Sequence, residues 1–278
     1  MIRKYSRRLT QVITALLYNC HFTGFVSGSI YQGNLKAVCV PGLNCYGCPG
    51  AVFACPIGSL QSELAAYKFR FPYYVLGMLL LMGVLFGRFI CGFLCPFGMI
   101  QELLHKIPSR KVKKSKVTRM LSYVKYIILA VFVIIVPLTA LVPGFCKYIC
   151  PMGTLTAGVP LAIANPMIRS IVGWLFSWKM LLLIAIVVSC IFAFRSFCRF
   201  LCPLGALYSL FNRIAFARMD VDPEKCTRCG TCRAFCGMDI QQVGDHECIQ
   251  CGECKAVCPH GAICRSLEQV RGRSHAQD

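Results

Sequence analysis

The chain has 278 residues, 56% of them hydrophobic and only 15% charged, with a mean hydropathy of +0.61. That is too apolar for an ordinary soluble domain and reads as membrane-embedded, the charged C-terminal third excepted. The formal net charge of +19 comes with no nucleic-acid-binding motif, so nucleic acid is set aside as a partner and a lipid bilayer is expected instead.

In chain order, the segments 12–31, 73–90, 120–142 and 171–194 are apolar runs of about 20 residues, long enough to cross a hydrocarbon core of about 30 Å. The first contains Asn19, His21 and Thr23 and is followed by a poor signal-peptide cleavage site, so it too is expected to be a membrane helix. Arg3, Lys4, Arg7 and Arg8 precede the first run. Lys106, Arg110, Lys111, Lys113, Lys114, Lys116 and Arg119 separate the second from the third, and Arg195 and Arg199 follow the fourth. The positive-inside rule makes those segments cytoplasmic. Segments 32–72 and 143–170 carry only Lys36, Lys68, Arg70, Lys147 and Arg169 and belong outside. The expectation is a multi-pass protein of a prokaryotic cytoplasmic membrane, with both termini inside.

Cysteine, proline, an apolar residue and glycine recur at Cys55-Pro56-Ile57-Gly58, Cys95-Pro96-Phe97-Gly98, Cys150-Pro151-Met152-Gly153 and Cys202-Pro203-Leu204-Gly205. The last three carry a further cysteine four residues earlier, Cys91, Cys146 and Cys198. Each element leads into a helix-like stretch that tolerates proline at its start, and free N–H groups there suit an anionic centre. The order helix, outer cysteines, helix, inner cysteines occurs twice in the same sense, which predicts two parallel repeats around an axis along the membrane normal. Cys91, Cys95, Cys198 and Cys202 then supply four ligands for one inner membrane [4Fe–4S] cluster. On the outer face Cys146 and Cys150 meet a first-half loop with Cys39, Cys45, Cys48 and Cys55. Symmetry selects Cys55 and proximity Cys48 for an outer iron–sulfur centre. Cys39 and Cys45 are left as a disulfide or as extra ligands, and a purely local set of Cys39, Cys45, Cys48 and Cys55 is the alternative.

From Cys226 and again from Cys248 the chain has complete C-x₂-C-x₂-C-x₃-C runs. In two-cluster ferredoxins the fourth cysteine of each run serves the other cluster. The expected sets are Cys226, Cys229, Cys232 with Cys258, and Cys248, Cys251, Cys254 with Cys236. Zinc would leave half of these thiols unexplained. The fold class expected is therefore membrane α-helical, with four transmembrane helices in two parallel repeats plus a small α+β two-cluster ferredoxin domain. Its divisions are 1–105 for the first membrane repeat, 106–218 for the second, 219–267 for the ferredoxin domain with two [4Fe–4S] clusters, and 268–278 for a disordered tail. Cys20, Cys190 and Cys264 read as small packing hydrophobes. The outer cysteines have disulfide pairing as their plain alternative. His21, a candidate for haem or quinone contact, reads better as bonded to a neighbouring helix, and His105 as interfacial.

With its paired C-x₃-C-P elements at Cys91/Cys95 and Cys198/Cys202 and its C-terminal ferredoxin runs, the chain resembles the membrane-bound polyferredoxins of the periplasmic nitrate reductase system. It also resembles the iron–sulfur part of the nitrous oxide reductase accessory and cytochrome oxidase assembly ferredoxins. The resemblance implies electron transfer between the cytoplasmic face or quinone pool and extracytoplasmic reductases, or metal reduction during oxidase assembly. The outer cysteines depart from the nitrate-system pattern. No residue reads as a nucleophile or base, so an electron-transfer subunit of an oxidoreductase system is expected rather than a stand-alone catalyst. Its donor would be a cytoplasmic protein such as a ferredoxin. Its acceptor would be an extracytoplasmic or membrane redox partner, whether flavoprotein, cytochrome or quinone. An assembly factor that reduces copper or another metal and a thiol/disulfide redox protein are the alternatives.

Overall fold

In the computed structural model, which describes residues 2–66, 71–112, 114–170 and 173–266, the first apolar run is not one helix. Helix α1 (Ile2–Tyr18) starts earlier and stops where the Asn19 side chain turns back to donate to the Ala15 carbonyl. A short helical turn, Thr23–Ser27, follows and ends at Gly28 with φ +63°. Hydropathy averaged over 12–31 sees the apolar residues but not these breaks, and Cys20, expected in a helix interior, lies exposed beyond α1. Lys68, Arg70, Lys113, Ile171 and the tail at 268–278 lie outside the described residues, as do the side chains of Arg3 and Lys4.

The helices that follow before the C-terminal module include α2 (Pro56–Leu64), α3 (Tyr73–Phe86), α4 (Phe89–Phe93), α5 (Pro96–His105), α6 (Lys116–Ala140), α7 (Gly144–Tyr148), α8 (Pro151–Ala164), α9 (Trp174–Phe192), α10 (Ser196–Phe200) and α11 (Pro203–Phe211). Among the described residues, only α6 and α9 are long and apolar enough to cross a membrane unaided; α3 and α8 are shorter apolar helices. Helix α3, with 14 residues, spans about 21 Å at 1.5 Å per residue. It stops at Gly87, whose φ of +52° and whose approach to Ala215 and Asn212 leave little room for a side chain. Ser115 and Thr118 form a capping box at the start of α6. A π-turn, Leu129–Ile135, widens α6 just before Pro137, whose missing N–H breaks the ladder.

The radial pattern inverts that of a soluble protein. Leu9, Leu16 and Leu17 on α1 and Leu181 and Ile184 on α9 face outward, while Arg88, Lys125 and Arg195 are completely buried. Helix α1 turns Arg7 and Gln11 inward instead. Arg7 and Arg195 both bond Glu102, and Arg199 bonds Asp239. Three of the cations read from sequence as loop charges are thus internal ties, because each has a buried carboxylate within reach.

The C-terminal module is closed by β1 (Met219–Val221) pairing antiparallel with β2 (Ile263–Arg265), Asp220 opposite Cys264. Between the strands lie α12 (Thr231–Phe235) and α13 (Glu253–Val257), packed on one another.

Candidate metal centres

Each cysteine of the four C-P-x-G elements stands at a helix N-cap in extended backbone, with proline just inside the helix. Proline has no N–H to orient, so the next free amides turn to the sulfur. Ile57 and Gly58 bond Cys55, Gly98 bonds Cys95, Met152 and Gly153 bond Cys150, and Gly205 bonds Cys202. A thiolate is favoured there by the amides and by the helix dipole. The preceding cysteines, Cys91, Cys146 and Cys198, sit in α4, α7 and α10. Each chain folds back through one repeated bond: Cys95 N to Ile90 O at 3.1 Å, Cys150 N to Phe145 O at 2.9 Å, and Cys202 N to Phe197 O at 2.9 Å.

The inner set is held by reciprocal contacts between the halves. Arg88, three residues before Cys91, donates to the Cys198 carbonyl at 3.3 Å; Arg195, three before Cys198, donates to the Cys91 carbonyl at 2.5 Å. Buried Gln101 donates to Cys198 Sγ at 2.9 Å and accepts from the Phe197 amide. Burial pushes all four thiols up, Cys198 to about 11, against the pull of Arg88 and Arg195 at Cys91 and Cys198. As bare thiols they would keep their protons, which a bound iron cluster would displace. The surroundings fit such an anionic centre: Arg88 and Lys125, both fully buried, share the single carboxylate of Glu247 and leave a net positive charge beside these sulfurs.

The outer set repeats this design. Gln61, six residues after Cys55 as Gln101 is six after Cys95, donates to Cys146 Sγ at 3.3 Å and accepts from the Phe145 amide at 2.9 Å. A Cβ on Gly58 would lie 3.9 Å from Cys146 Sγ, and one on Gly153 would lie 3.7 Å from Cys45 Sγ. The thiols brought together are thus Cys45, Cys55, Cys146 and Cys150, each in the electrostatic field of another of the set. Burial raises Cys45 and Cys55 to about 12 and raises Cys146 and Cys150 as well, while Lys179 opposes it at Cys45 and Cys150.

Cys48, chosen from sequence by proximity, is buried, and its backbone amide donates to the Cys45 carbonyl at 3.1 Å. In the loop before Cys55 it is Cys45 that lies against Gly153 and beside Cys150. Cys39 bonds the Ser59 hydroxyl at 3.4 Å and bridges Ala54. His21 has both ring nitrogens engaged, on the Pro49 carbonyl and the Thr23 hydroxyl.

In the C-terminal module the two runs make the same turn. Arg228 and Gln250 have φ of 55° and 54°, and Gly230 and Gly252 both have 76°. Cys226, Cys229, Cys232 and Cys258 line one cavity of 410 Å³, and Cys236, Cys248, Cys251 and Cys254 line another of 230 Å³. Burial raises Cys236 and Cys254 to about 12. The second cavity is the one that faces the inner thiols. A Cβ on Gly92, between Cys91 and Cys95, would sit 2.5 Å from the Ile249 carbonyl. Asn212 clamps the Asp245 and Cys248 carbonyls, and Arg88 bonds both His246 O and Glu247. Burial alone would raise Glu247, but Arg88 and Lys125 hold its carboxyl below the usual value. Cys190, expected only to pack, bonds the Ser196 hydroxyl at 3.1 Å, and His105 borders the second cavity. Among the described residues no three His, Cys, Asp or Glu side chains converge to the distances of a single metal ion.

The model of a 4Fe-4S binding domain matches the chain over residues 71–115, 125–161 and 174–218. In these three stretches the chain is similar to a 4Fe-4S binding domain. They carry Cys91 and Cys95, Cys146 and Cys150, and Cys198 and Cys202 respectively. The chain is 28% identical over 59% of its length to the uncharacterized protein MJ0750 of Methanocaldococcus jannaschii, covering 64% of that protein. It is 26% identical over 64% of its length to the methylamine utilization ferredoxin-type protein MauN of Paracoccus denitrificans, covering 58% of that protein. The chain therefore spans less than two thirds of the curated relatives it matches. No solved structure matches it. Together these findings support [4Fe–4S] binding, a ferredoxin-type character and electron transfer.

Proposed function

We propose that the chain is a transmembrane electron-transfer protein with four centres in series. From the cytoplasmic side they are Cys226, Cys229, Cys232 and Cys258; Cys248, Cys251, Cys254 and Cys236; Cys91, Cys95, Cys198 and Cys202; and Cys45, Cys55, Cys146 and Cys150. Bound iron–sulfur clusters would supply one-electron storage at each place, and the polypeptide sets their spacing and potentials. The observation that carries this reading is the contiguity of the sets: the Cys248–Cys251 loop is seated on Gly92 between two inner thiols.

The outward apolar faces of α1 and α9 and the two long apolar helices support a membrane setting. Short α3 lets its cysteine element reach inward, shortening the gap between faces. We read the matched helix-plus-cysteine units as parts of two parallel repeats, with a fourth, more divergent unit in α1 and the loop to Cys55. The donor would be a cytoplasmic redox protein drawn to Lys225, Arg228, Arg233 and Lys255, and the acceptor an extracytoplasmic or membrane partner. Intact protein is expected to hold about sixteen irons and sixteen sulfides, four of each per cluster. Cys202→Ala should remove about four of each and leave the C-terminal centres. Zinc in place of iron, or loss of the C-terminal centres in that variant, would contradict the assignment.

A further inference from the structure

The segment from Pro41 to Cys45 belongs to the outer loop yet reaches the inner set. The Pro41 carbonyl accepts from the hydroxyl of fully buried Tyr208 on α11 at 2.9 Å. Gly42 lies against the Leu94 carbonyl and Cys95 Cα, 3.1 and 3.4 Å from where its Cβ would be. The Leu43 amide donates to the Cys95 thiol. Two residues later comes Cys45, a thiol of the outer set. Between them stands Asn44, completely buried, with neither its amide nitrogen nor its amide oxygen bonded to any protein atom. Among the described residues it is the one buried side chain that leaves both polar atoms unpaired. Such a group is costly to bury unless a partner other than protein meets it.

We propose that this segment is a bonded bridge between the inner and outer centres, in which Leu43 fixes Cys95 and the Asn44 amide donates to sulfur of the outer centre. The bridge follows the main chain from Cys45 back to Leu43 and crosses to Cys95 by one hydrogen bond. It rests on the outer centre proposed above. Donors to sulfur stabilise the more negative, reduced state and so raise a cluster's potential. The test is a redox titration of the full-length protein followed by electron paramagnetic resonance. Asn44→Leu is expected to keep the iron content and shift the outer reduction equilibrium about tenfold toward oxidised, close to 59 mV for one electron. The other three centres should not move. If Asn44→Leu fails to hold the outer centre, Asn44→Ser, which is smaller and keeps a donor, gives the reading, and its potential should lie nearer wild type. An unmoved outer potential in Asn44→Leu, or loss of the outer centre in both variants, would overturn the bridge. Absence of an outer signal in the wild-type protein would instead overturn the outer centre itself.

Discussion

Cys45→Ala is expected to remove one centre, about four irons per chain, whereas Cys48→Ala should leave every centre in place. The two cysteines lie three residues apart in one loop, and both are at least partly buried, so general damage to the loop should affect both variants alike. The distinction arises from the partner half. Cys45 Sγ lies against Gly153, as Cys146 Sγ lies against Gly58, and this reciprocal packing places both thiols beside Cys55 and Cys150. Iron analysis with Mössbauer spectroscopy on the two variants decides it. Equal losses, or a loss confined to Cys48→Ala, would return the fourth ligand to the residue that sequence proximity favours.

Gly92→Ala should loosen the C-terminal module without removing any ligand. Its Cβ would have to occupy space 2.5 Å from the backbone oxygen of Ile249, which no side-chain rotation can relieve. Overpacking of this kind costs about 1–3 kcal/mol, which is about a five- to 160-fold loss in the docked equilibrium. The Arg88–Glu247 and Arg7–Glu253 ion pairs would still tether the module. Amide hydrogen exchange around residues 248–250 is therefore expected to rise while the iron content stays constant. Unchanged exchange in that loop would mean that Gly92 is not the contact that seats the module.

The parts of the site that could be read from sequence are those fixed by local spacing. Thiols at Cys226, Cys229 and Cys232 recur at short intervals because one chain segment must wrap one centre, and the two C-terminal cavities gather the cysteines that this cadence implies. The C-P-x-G elements are equally local, since proline and the amides after it act within one helical turn. The outer fourth thiol is different, because the insertion before Cys55 destroys the register and only the contact with Gly153, about a hundred residues away, restores it.

Gln61 and Gln101 had a signal that the sequence reading missed, a glutamine six residues after Cys55 and again after Cys95. Their meaning is long-range all the same, for both reach the opposite half. Arg195 and Arg199 look like orientation charges until Glu102 and Asp239 are brought to them by packing. The segment 12–31 fails for a related reason: average hydropathy carries no information about Asn19 capping its own helix or Gly28 adopting a left-handed turn.

The central claim, that the chain conducts electrons between the two faces of a membrane, is tested most directly in sealed vesicles. Purified protein, oriented with its C-terminal module outside, would be reconstituted around a trapped oxidant such as ferricyanide, and a membrane-impermeant reductant added externally. Ferricyanide should bleach in vesicles with the wild-type protein and stay coloured in those with Cys150→Ala, although that variant keeps the other three centres. Trapped oxidant that stays unreduced beside fully iron-loaded wild-type protein would contradict the account.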